Sequence, residues 1–316
     1  MKILITGGAG FIGSNIVKAL LNDTRVTKVR VLDNLATGFE KNISEFIPDD
    51  KFEFVEGDIR DLDTCIAATK GMDSITHQAA LGSVPRSIKD PITTNNVNVT
   101  GTLNVLHASV LNNIKRVVFA ASSSTYGDNT TLPKIEDNIG DPLSPYAVTK
   151  YVNELYASVF ASTYGLDYIG LRYFNVFGPK QDPGGAYAAV IPLFFKAAIN
   201  GKAPTINGDG NFSRDFTFVD NAVSANVLAL FTTETKALNQ VYNVACGKRI
   251  TLNRLWEIIS EITKTKTLPI FGPEREGDIP HSLADISKAE TLLKYEPTIS
   301  TEVGLKESYS WYKKMF

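Results

Sequence analysis

Residue types that hold metal ions or form disulfide bonds are scarce in this sequence. It contains two cysteines and three histidines among 316 residues. Cys65 and Cys246 lie far apart and in no spacing typical of metal ligands, so we expect both to be reduced core residues and the protein to hold no metal. Two of the histidines have equally plain interpretations. His77 ends a predicted strand and is expected to be structural, and His107 lies within a predicted helix as a packing or surface residue.

A strong charge of one sign and a long apolar run are absent as well. The formal net charge is −2, which argues against nucleic acid or an anionic membrane as partner, because both require a basic face. No segment is apolar over the roughly 20 residues needed to cross a membrane, and the N-terminus lacks the pattern of a signal peptide. The remaining composition, 43% hydrophobic and 21% charged, is ordinary for a globular protein. We therefore expect a cytoplasmic protein.

The first fifteen residues carry the most informative pattern in the chain. Lys2–Thr6 reads as a short buried strand, Gly7–Gly13 as a glycine turn, and the residues that follow as a helix. This order predicts a phosphate cradle. Glycine lets the backbone approach a pyrophosphate closely, and the helix N-terminus offers it unpaired N–H groups.

A carboxylate at the end of the second predicted strand bears on which dinucleotide binds. Val29–Leu32 forms this strand and Asp33 ends it, 20 residues after Gly13. A carboxylate here accepts hydrogen bonds from the adenine ribose hydroxyls of NAD, whereas it repels the 2′-phosphate of NADP. Residues 34–38 contain no arginine that would compensate this repulsion, so we expect NAD.

Predicted strands and helices alternate regularly up to about residue 173, and this alternation is lost beyond it. Further strands are predicted at 52–58, 74–78, 116–120, 168–172, 215–219 and 241–245, and helices at 62–69, through 98–111 and after Pro145. This alternation predicts an α/β fold with a doubly wound parallel sheet (Rossmann) that binds its ligand at the carboxyl ends of the strands. We expect an NAD-binding domain over residues 1–174, with returning segments near 215–245. A smaller C-terminal mixed α/β substrate domain over residues 175–316 is interleaved with it.

Tyr146 and Lys150 are the candidate catalytic pair. Their i, i+4 spacing places them on one face of a helix, where the ammonium would lower the pKa of the phenol and make it a general base. Tyr309 and Lys313 have the same spacing, but they lie on a polar terminal helix that we interpret as a solvated face. The strand before Tyr146 ends in the run Ser122–Ser124, which puts hydroxyl groups at the same sheet edge.

Taken together, these motifs closely resemble the extended short-chain dehydrogenase/reductase family, and within it the nucleotide-sugar 4-epimerases. The resemblance runs essentially from end to end. Its segments are Thr6–Gly13, Gly57–Asp61, His77–Ala80, Ser122–Ser124, the Tyr146/Lys150 pair, Leu171–Gly178, Arg214–Phe216 and Arg275–Asp278.

The resemblance implies a set of site residues. Those expected to bind NAD are Gly7, Gly10, Phe11, Ile12, Gly13, Asp33, Asn34, Thr37, Gly38, Asp58, Ile59, Gln78, Ala79, Ala80, Asn98, Tyr146, Lys150 and Phe174. Those expected to bind the UDP-sugar are Ser122, Ser123, Ser124, Tyr146, Asn175, Ala189, Val190, Thr205, Asn207, Arg214, Arg275, Asp278 and Ser282. Relatives in this family commonly pair two helices into a homodimer, so we also expect one here.

The family resemblance further implies a reaction. Tyr146, as a phenolate, takes the proton of the sugar 4-hydroxyl while hydride passes from C4 to NAD, and hydride then returns to the other face of the 4-keto sugar. Ser122 relays or orients the hydroxyl proton, and Lys150 lowers the pKa of Tyr146 and holds the nicotinamide ribose.

The run Ser122–Ser124 separates this reading from its alternatives. The 4,6-dehydratases of the family have Thr-Asp-Glu at these positions and the decarboxylases keep a glutamate, whereas a hydroxyl without a base cannot easily remove a C5 proton. The alternatives are another nucleotide-sugar enzyme (a UDP-glucuronate 4-epimerase, a decarboxylase or a dehydratase) and a non-catalytic NAD-sensing regulator. A regulator has no need of Tyr146, Lys150 and Ser122 together.

Ser282 bears on the substrate. In the resemblance it corresponds to a sugar-pocket position that is tyrosine in epimerases restricted to UDP-glucose and small in those that accept N-acetylated sugars. The stretch 181–192 also resembles the UDP-N-acetylglucosamine 4-epimerase branch, which makes UDP-N-acetylglucosamine and UDP-N-acetylgalactosamine the expected substrates, with UDP-glucose and UDP-galactose as a further pair. The alternative is that Ser282 caps a helix starting at Leu283.

Overall fold

A seven-stranded parallel sheet dominates the chain in a computed structural model, which describes residues 1–184, 189–274 and 279–316. The strands are β1 (Lys2–Thr6), β2 (Lys28–Asp33), β3 (Phe52–Glu56), β4 (Ser74–His77), β5 (Arg116–Ser122), β6 (Asp167–Tyr173), β7 (Val176–Phe177), β8 (Thr205–Asn207), β9 (Ser213–Asp215), β10 (Thr217–Phe218), β11 (Gln240–Val244), β12 (Arg249–Thr251) and β13 (Ile270–Gly272). The helices are α1 (Phe11–Leu21), α2 (Leu62–Thr69), α3 (Val84–Lys89), α4 (Pro91–Asn95), α5 (Gly101–Leu111), α6 (Pro145–Tyr164), α7 (Val190–Ile199), α8 (Val219–Phe231), α9 (Leu252–Thr263), α10 (Ser287–Leu293) and α11 (Thr301–Met315).

The strand order of the main sheet is β11-β6-β5-β4-β1-β2-β3. Successive strands run outward in both directions from the β1/β4 boundary, so a crevice opens there at the carboxyl ends of the strands. The predicted α/β fold with a doubly wound parallel sheet is confirmed.

Apolar side chains cover both faces of this sheet. Ile3 and Ile5 of β1 pack in one core cluster with α1, while Leu4 points to the other face and packs in a second cluster with Val105 and Leu106 of α5. Alternate residues of a strand face opposite sides, so an unbroken apolar strand needs helices on both of them. This sandwich fixes the positions of the strand ends that carry the site.

Helix α6 begins and ends at strong local signals. Ser144 caps its N-terminus by accepting a hydrogen bond from Ala147 N at 3.1 Å, and Pro145 occupies its first position. Gly165 ends it in the left-handed conformation at φ +68°. These signals place Tyr146 in the first turn of the helix, at the carboxyl edge of the sheet.

The second region consists of small two-stranded sheets, β7 with β10, β9 with β12 and β8 with β13. The chain crosses back to the main sheet in between, because α8 packs against α1 and β11 pairs in parallel with β6 at the sheet edge. Among the described residues, no helix is both long and apolar enough to cross a membrane.

Three predicted elements differ in detail. The strand predicted at 215–219 is divided, because the Phe216 carbonyl accepts a hydrogen bond from Thr301 Oγ1 at 3.0 Å and α8 already begins at Val219. The helix predicted through 98–111 has a wider π turn over 96–100, where the Asn98 carbonyl accepts a hydrogen bond from Thr102 Oγ1 at 2.6 Å. No helix starts at Leu283, because α10 begins at Ser287 with Ile286 before it.

Candidate active site

The glycine turn between β1 and α1 forms the floor of the first part of the site. Gly7 has φ +71°, and a Cβ on it would lie 2.5 Å from Ala79 N. A Cβ on Gly13 would lie 2.2 Å from Gly7 O. A side chain at Gly7 would therefore push the turn away from the segment after β4, and one at Gly13 would push α1 away from the turn. The close packing leaves the N-terminus of α1 facing the cavity, as a pyrophosphate requires.

Asp33 is held rigidly at the end of β2. Its Oδ2 accepts a hydrogen bond from Ala9 N and its Oδ1 one from Leu35 N, both at 2.9 Å. Burial raises the pKa of this carboxyl, and the two N–H groups act in the opposite direction. Each oxygen keeps a second lone pair, so the carboxylate can accept from the two vicinal hydroxyls of an adenine ribose. The turn and this carboxylate therefore fit NAD.

Most residues predicted to bind NAD line one cavity of about 500 Å³. They are Gly7, Gly10, Phe11, Ile12, Gly13, Asp33, Asn34, Thr37, Gly38, Asp58, Ile59, Gln78, Ala79, Ala80, Tyr146 and Lys150. Asp58 accepts hydrogen bonds from Asn34 and Arg60. These bonds lower the pKa of Asp58 to about 2, and the bond from Arg60 has the largest effect. Asp58 is therefore negatively charged at neutral pH and places this charge on the cavity wall.

Two predicted NAD residues do not line this cavity. Asn98 is buried and forms two hydrogen bonds with the backbone of Leu81: its Oδ1 accepts from Leu81 N at 2.8 Å and its Nδ2 donates to Leu81 O at 3.2 Å. It therefore holds Leu81, a residue of the cavity wall, in place. The ring of Phe174 is buried 5.9 Å from that of Tyr126, because consecutive side chains at the end of β6 point to opposite sides.

Tyr173 lines the cavity instead, and the sequence analysis missed it. Its hydroxyl donates to Gln78 Oε1 at 3.0 Å and accepts from Asn226 Nδ2 at 2.7 Å. The period-two alternation of β6 was the signal that could have found it, since Tyr173 and Phe174 must face opposite sides.

Tyr146 and Lys150 meet at the inner end of the cavity. Lys150 Nζ donates to Ala120 O at 2.8 Å and lies 5.9 Å from the centroid of the Tyr146 ring. Burial lowers the pKa of Lys150 to about 8. We predicted that Lys150 lowers the pKa of Tyr146, but this pKa is raised, because burial disfavours the phenolate more than the hydrogen bond with Ser122 favours it.

Only one hydroxyl of the serine run reaches the cavity. Ser122 lines it, and Ser124 Oγ lies behind it at 2.9 Å from Ser122 Oγ. Ser123 lines neither this cavity nor its neighbour. Sequence spacing could not separate these three hydroxyls, because the strand ends at Ser122 and a tight turn over Ser123–Tyr126 follows.

A second cavity of about 1000 Å³ adjoins the first and shares Asn175 and Val176 with it. Predicted substrate residues on its wall are Asn175, Ala189, Val190, Thr205, Asn207 and Arg214. Asn175 Nδ2 donates to Asp215 O at 2.9 Å, and Arg214 Nη1 donates to Ser213 O and Pro280 O, both at 3.0 Å. Arg275 and Asp278 lie outside the described residues.

Ser282 lies beside this wall without lining either cavity. Its backbone N–H donates to Ser213 O at 3.0 Å, one residue from Arg214, and its side chain is half-buried. The segment 280–282 therefore runs along β9.

His77 and the Tyr309/Lys313 pair, which the sequence analysis also considered, do not take part in the site. His77 bonds Thr6 Oγ1 at 2.6 Å and Thr102 Oγ1 at 2.9 Å, and burial lowers its pKa to about 3, so it is neutral. Tyr309 differs from the expected solvated face, because its ring is partly buried 6.3 Å from that of Phe195, whereas Lys313 is exposed.

Comparisons with known proteins agree with the fold described above. The sequence profile of the NAD dependent epimerase/dehydratase family matches residues 3–245. The UDP-glucose 4-epimerase of Mycolicibacterium smegmatis is 36% identical over 99% of each chain.

Two solved structures share the whole architecture. A UDP-N-acetylglucosamine 4-epimerase from Methanobrevibacter ruminantium, in complex with UDP-N-acetylmuramic acid, is 42% identical with a TM-score of 0.93, covering 100% of this chain and 99% of its own. A UDP-glucose 4-epimerase from Thermotoga maritima with UDP-glucose is 36% identical, with the same TM-score and the same coverage.

Proposed function

The chain belongs to the NAD dependent epimerase/dehydratase family and is an NAD-dependent UDP-sugar 4-epimerase, and we propose that UDP-N-acetylglucosamine and UDP-N-acetylgalactosamine are its preferred substrates. The small side chain at Ser282 carries the proposal. An acetamido group at C2 of the sugar needs space that an aromatic ring at this position would fill, and packed pockets absorb extra atoms only with strain.

The fold supports this interpretation of Ser282. The competing role as a helix cap is wrong, because α10 begins at Ser287. The segment 280–282 instead runs beside β9, whose Arg214 lines the larger cavity. Ala189, another small residue, lines the same cavity.

The protein's own residues perform the acid–base part of the reaction. NAD, when bound, supplies the hydride acceptor for C4 and a positively charged ring. Tyr146 takes the proton of the sugar 4-hydroxyl in the first half of the cycle and returns it in the second, so it ends each cycle unchanged. The hydrogen bond between Ser122 and Tyr146 favours the phenolate, against the effect of burial. Asn175 and Arg214 hold the nucleotide part of the substrate.

A product assay tests the proposed function. The protein is incubated with NAD and, separately, UDP-glucose, UDP-N-acetylglucosamine and UDP-glucuronate, and the products are separated. We expect the N-acetylated pair to interconvert with a higher kcat/KM than UDP-glucose and UDP-galactose. A preference for UDP-glucose would contradict the substrate proposal, and an eliminated or decarboxylated product would contradict the epimerase assignment.

Ser282→Tyr is expected to suppress the N-acetylated pair selectively. The ring fills the space for the acetamido group at a cost of about 1–3 kcal/mol, so kcat/KM on this pair falls by roughly ten- to hundredfold while that on the plain hexoses is retained. The measurement is kcat/KM on both pairs. Ser287→Tyr, at the exposed first residue of α10, is the control. Equal loss on both pairs in the Ser282 variant would overturn the interpretation.

We also propose that the protein is a homodimer through α6. This helix exposes Val148, Leu155 and Val159, and Ile92 is exposed on the adjacent helix α4. Contiguous apolar surface of this kind marks protein interfaces, and a two-fold axis would pair each patch with its copy. A monomeric mass by multi-angle light scattering would contradict this proposal.

A further inference from the structure

We propose that Ser124 is a positioning residue of the proton-transfer site, whose hydroxyl forces Ser122 to donate its proton to Tyr146. The proposal rests on the 4-epimerase function, and it assigns to Ser124 a role distinct from contact with the substrate. Ser124 reaches the reacting atoms only through Ser122.

Counting the hydrogens around Ser122 fixes the direction of each bond. A serine hydroxyl has one proton and two lone pairs. Ser124 Oγ donates to Ser122 Oγ at 2.9 Å, which fills one of the two lone pairs of Ser122. The proton of Ser122 is therefore not used in this contact and is free for the cavity, which Ser122 lines together with Tyr146.

The backbone occupies the other lone pair of Ser122. Ser124 N donates to Ser122 Oγ at 3.2 Å. With one lone pair filled by the Ser124 hydroxyl and the other by its N–H, Ser122 has no acceptor site left. It can therefore act only as a donor, which stabilises the phenolate of Tyr146, and it cannot accept a bond from the phenol, which would stabilise the protonated form.

This arrangement decides between the two roles expected for Ser122. A relay would have to accept the proton of the sugar 4-hydroxyl, and a hydroxyl with both lone pairs filled cannot accept it. The O–H bond of the sugar 4-hydroxyl therefore breaks as a new O–H bond forms on Tyr146 Oη, and the proton passes directly between these two oxygens without being held by Ser122. Ser122 orients the phenolate, and Ser124 orients Ser122.

Other charges near Tyr146 are unaffected by this pair. The titratable groups that the described residues place on the elements packed around Tyr146 are Arg86 and Lys89 of α3, His107 of α5, Lys150, Tyr151, Glu154, Tyr156 and Tyr164 of α6, Arg116 of β5, Tyr126 after β5, Asp167, Tyr168, Arg172 and Tyr173 of β6 and His77 of β4. Each of them is the same in the parent protein and in a variant that lacks only the Ser124 hydroxyl. A change in the titration of Tyr146 in such a variant therefore reports on the serine pair.

Ser124→Ala is expected to move the acid limb of the kcat–pH profile to higher pH by about half a unit to one unit, with KM little changed. Without the Ser124 hydroxyl, Ser122 is free to accept a hydrogen bond from the phenol instead of donating one to the phenolate. A change of this size in hydrogen bonding shifts the pKa of Tyr146 by about one unit. The second readout is the ¹³C signal of ring-labelled tyrosine, in which Tyr146 is assigned by its absence from Tyr146→Phe. This signal should titrate at correspondingly higher pH.

Thr125→Val is the matched control. It removes a hydroxyl from the same turn, and Thr125 Oγ1 is buried without a hydrogen-bond partner. An unmoved titration in Ser124→Ala, or an equal shift in Thr125→Val, would overturn the role of Ser124. Absence of UDP-sugar turnover in the parent protein would instead contradict the epimerase function, and the titration of Tyr146 would still be measured independently.

Discussion

Tyr146→Phe is expected to lower kcat by about 10²–10⁴-fold, because it removes the only atom that takes the proton from the sugar. The ring stays in place, so the packing of α6 and the cavity for NAD are preserved. The measurements are kcat on the preferred UDP-sugar pair and the affinity for NAD by titration. A loss of turnover with unchanged NAD affinity is the expected result.

The chain contains its own control for this substitution. Tyr309 stands four residues before Lys313, as Tyr146 stands before Lys150, but it packs on Phe195 and lines neither cavity. Tyr309→Phe should keep kcat within about twofold, since it retains the ring and removes a hydroxyl from a residue that lines neither cavity. A Tyr146→Phe protein that also kept its rate within a few-fold would refute the assignment of the general base.

Glu154→Ala is expected to lower the free energy of unfolding by about 3–5 kcal/mol, because it leaves the Arg172 guanidinium buried without its counter-ion. Both Glu154 carboxylate oxygens accept from this guanidinium, at 2.9 and 2.7 Å, and the two side chains are only 7% and 4% exposed. The ion pair joins α6 to β6. The measurement is the midpoint and slope of chemical denaturation.

An exposed ion pair provides the comparison. Glu257 lies 3.1 Å from Arg254, and both side chains are about half in solvent. Water solvates a lone charge there, so Glu257→Ala should leave the denaturation midpoint nearly unchanged. If the two alanine variants lost the same stability, burial would not be what makes the Glu154–Arg172 pair important.

The features that sequence could predict are the local ones. The strand Lys2–Thr6, the glycine turn and the helix after it follow from short-range pattern, and the structure places all three in that order. Asp33 could be placed because a strand end and a glycine turn meet at the same sheet edge. The alternation of strands and helices was enough to predict the doubly wound sheet.

The features that sequence could not predict depend on tertiary surroundings. The direction of the pKa shift of Tyr146 follows from the loss of water around its phenol in the folded protein, and the i, i+4 spacing of its lysine does not reveal this. The start of α10 at Ser287 depends on a segment that first runs beside β9. The hydrogen bond between Ser122 and Ser124 depends on the tight turn after β5.

The late return of β11 to the sheet has a consequence for synthesis on the ribosome. β6 is finished at Tyr173, but its outer edge is covered only when Gln240–Val244 pairs with it. Until that segment has left the exit tunnel, the nascent chain carries an open edge of backbone N–H and C=O groups that can pair with another chain. Truncation after Tyr173 would make this exposure permanent, so the N-terminal part of the chain is poorly suited to independent expression.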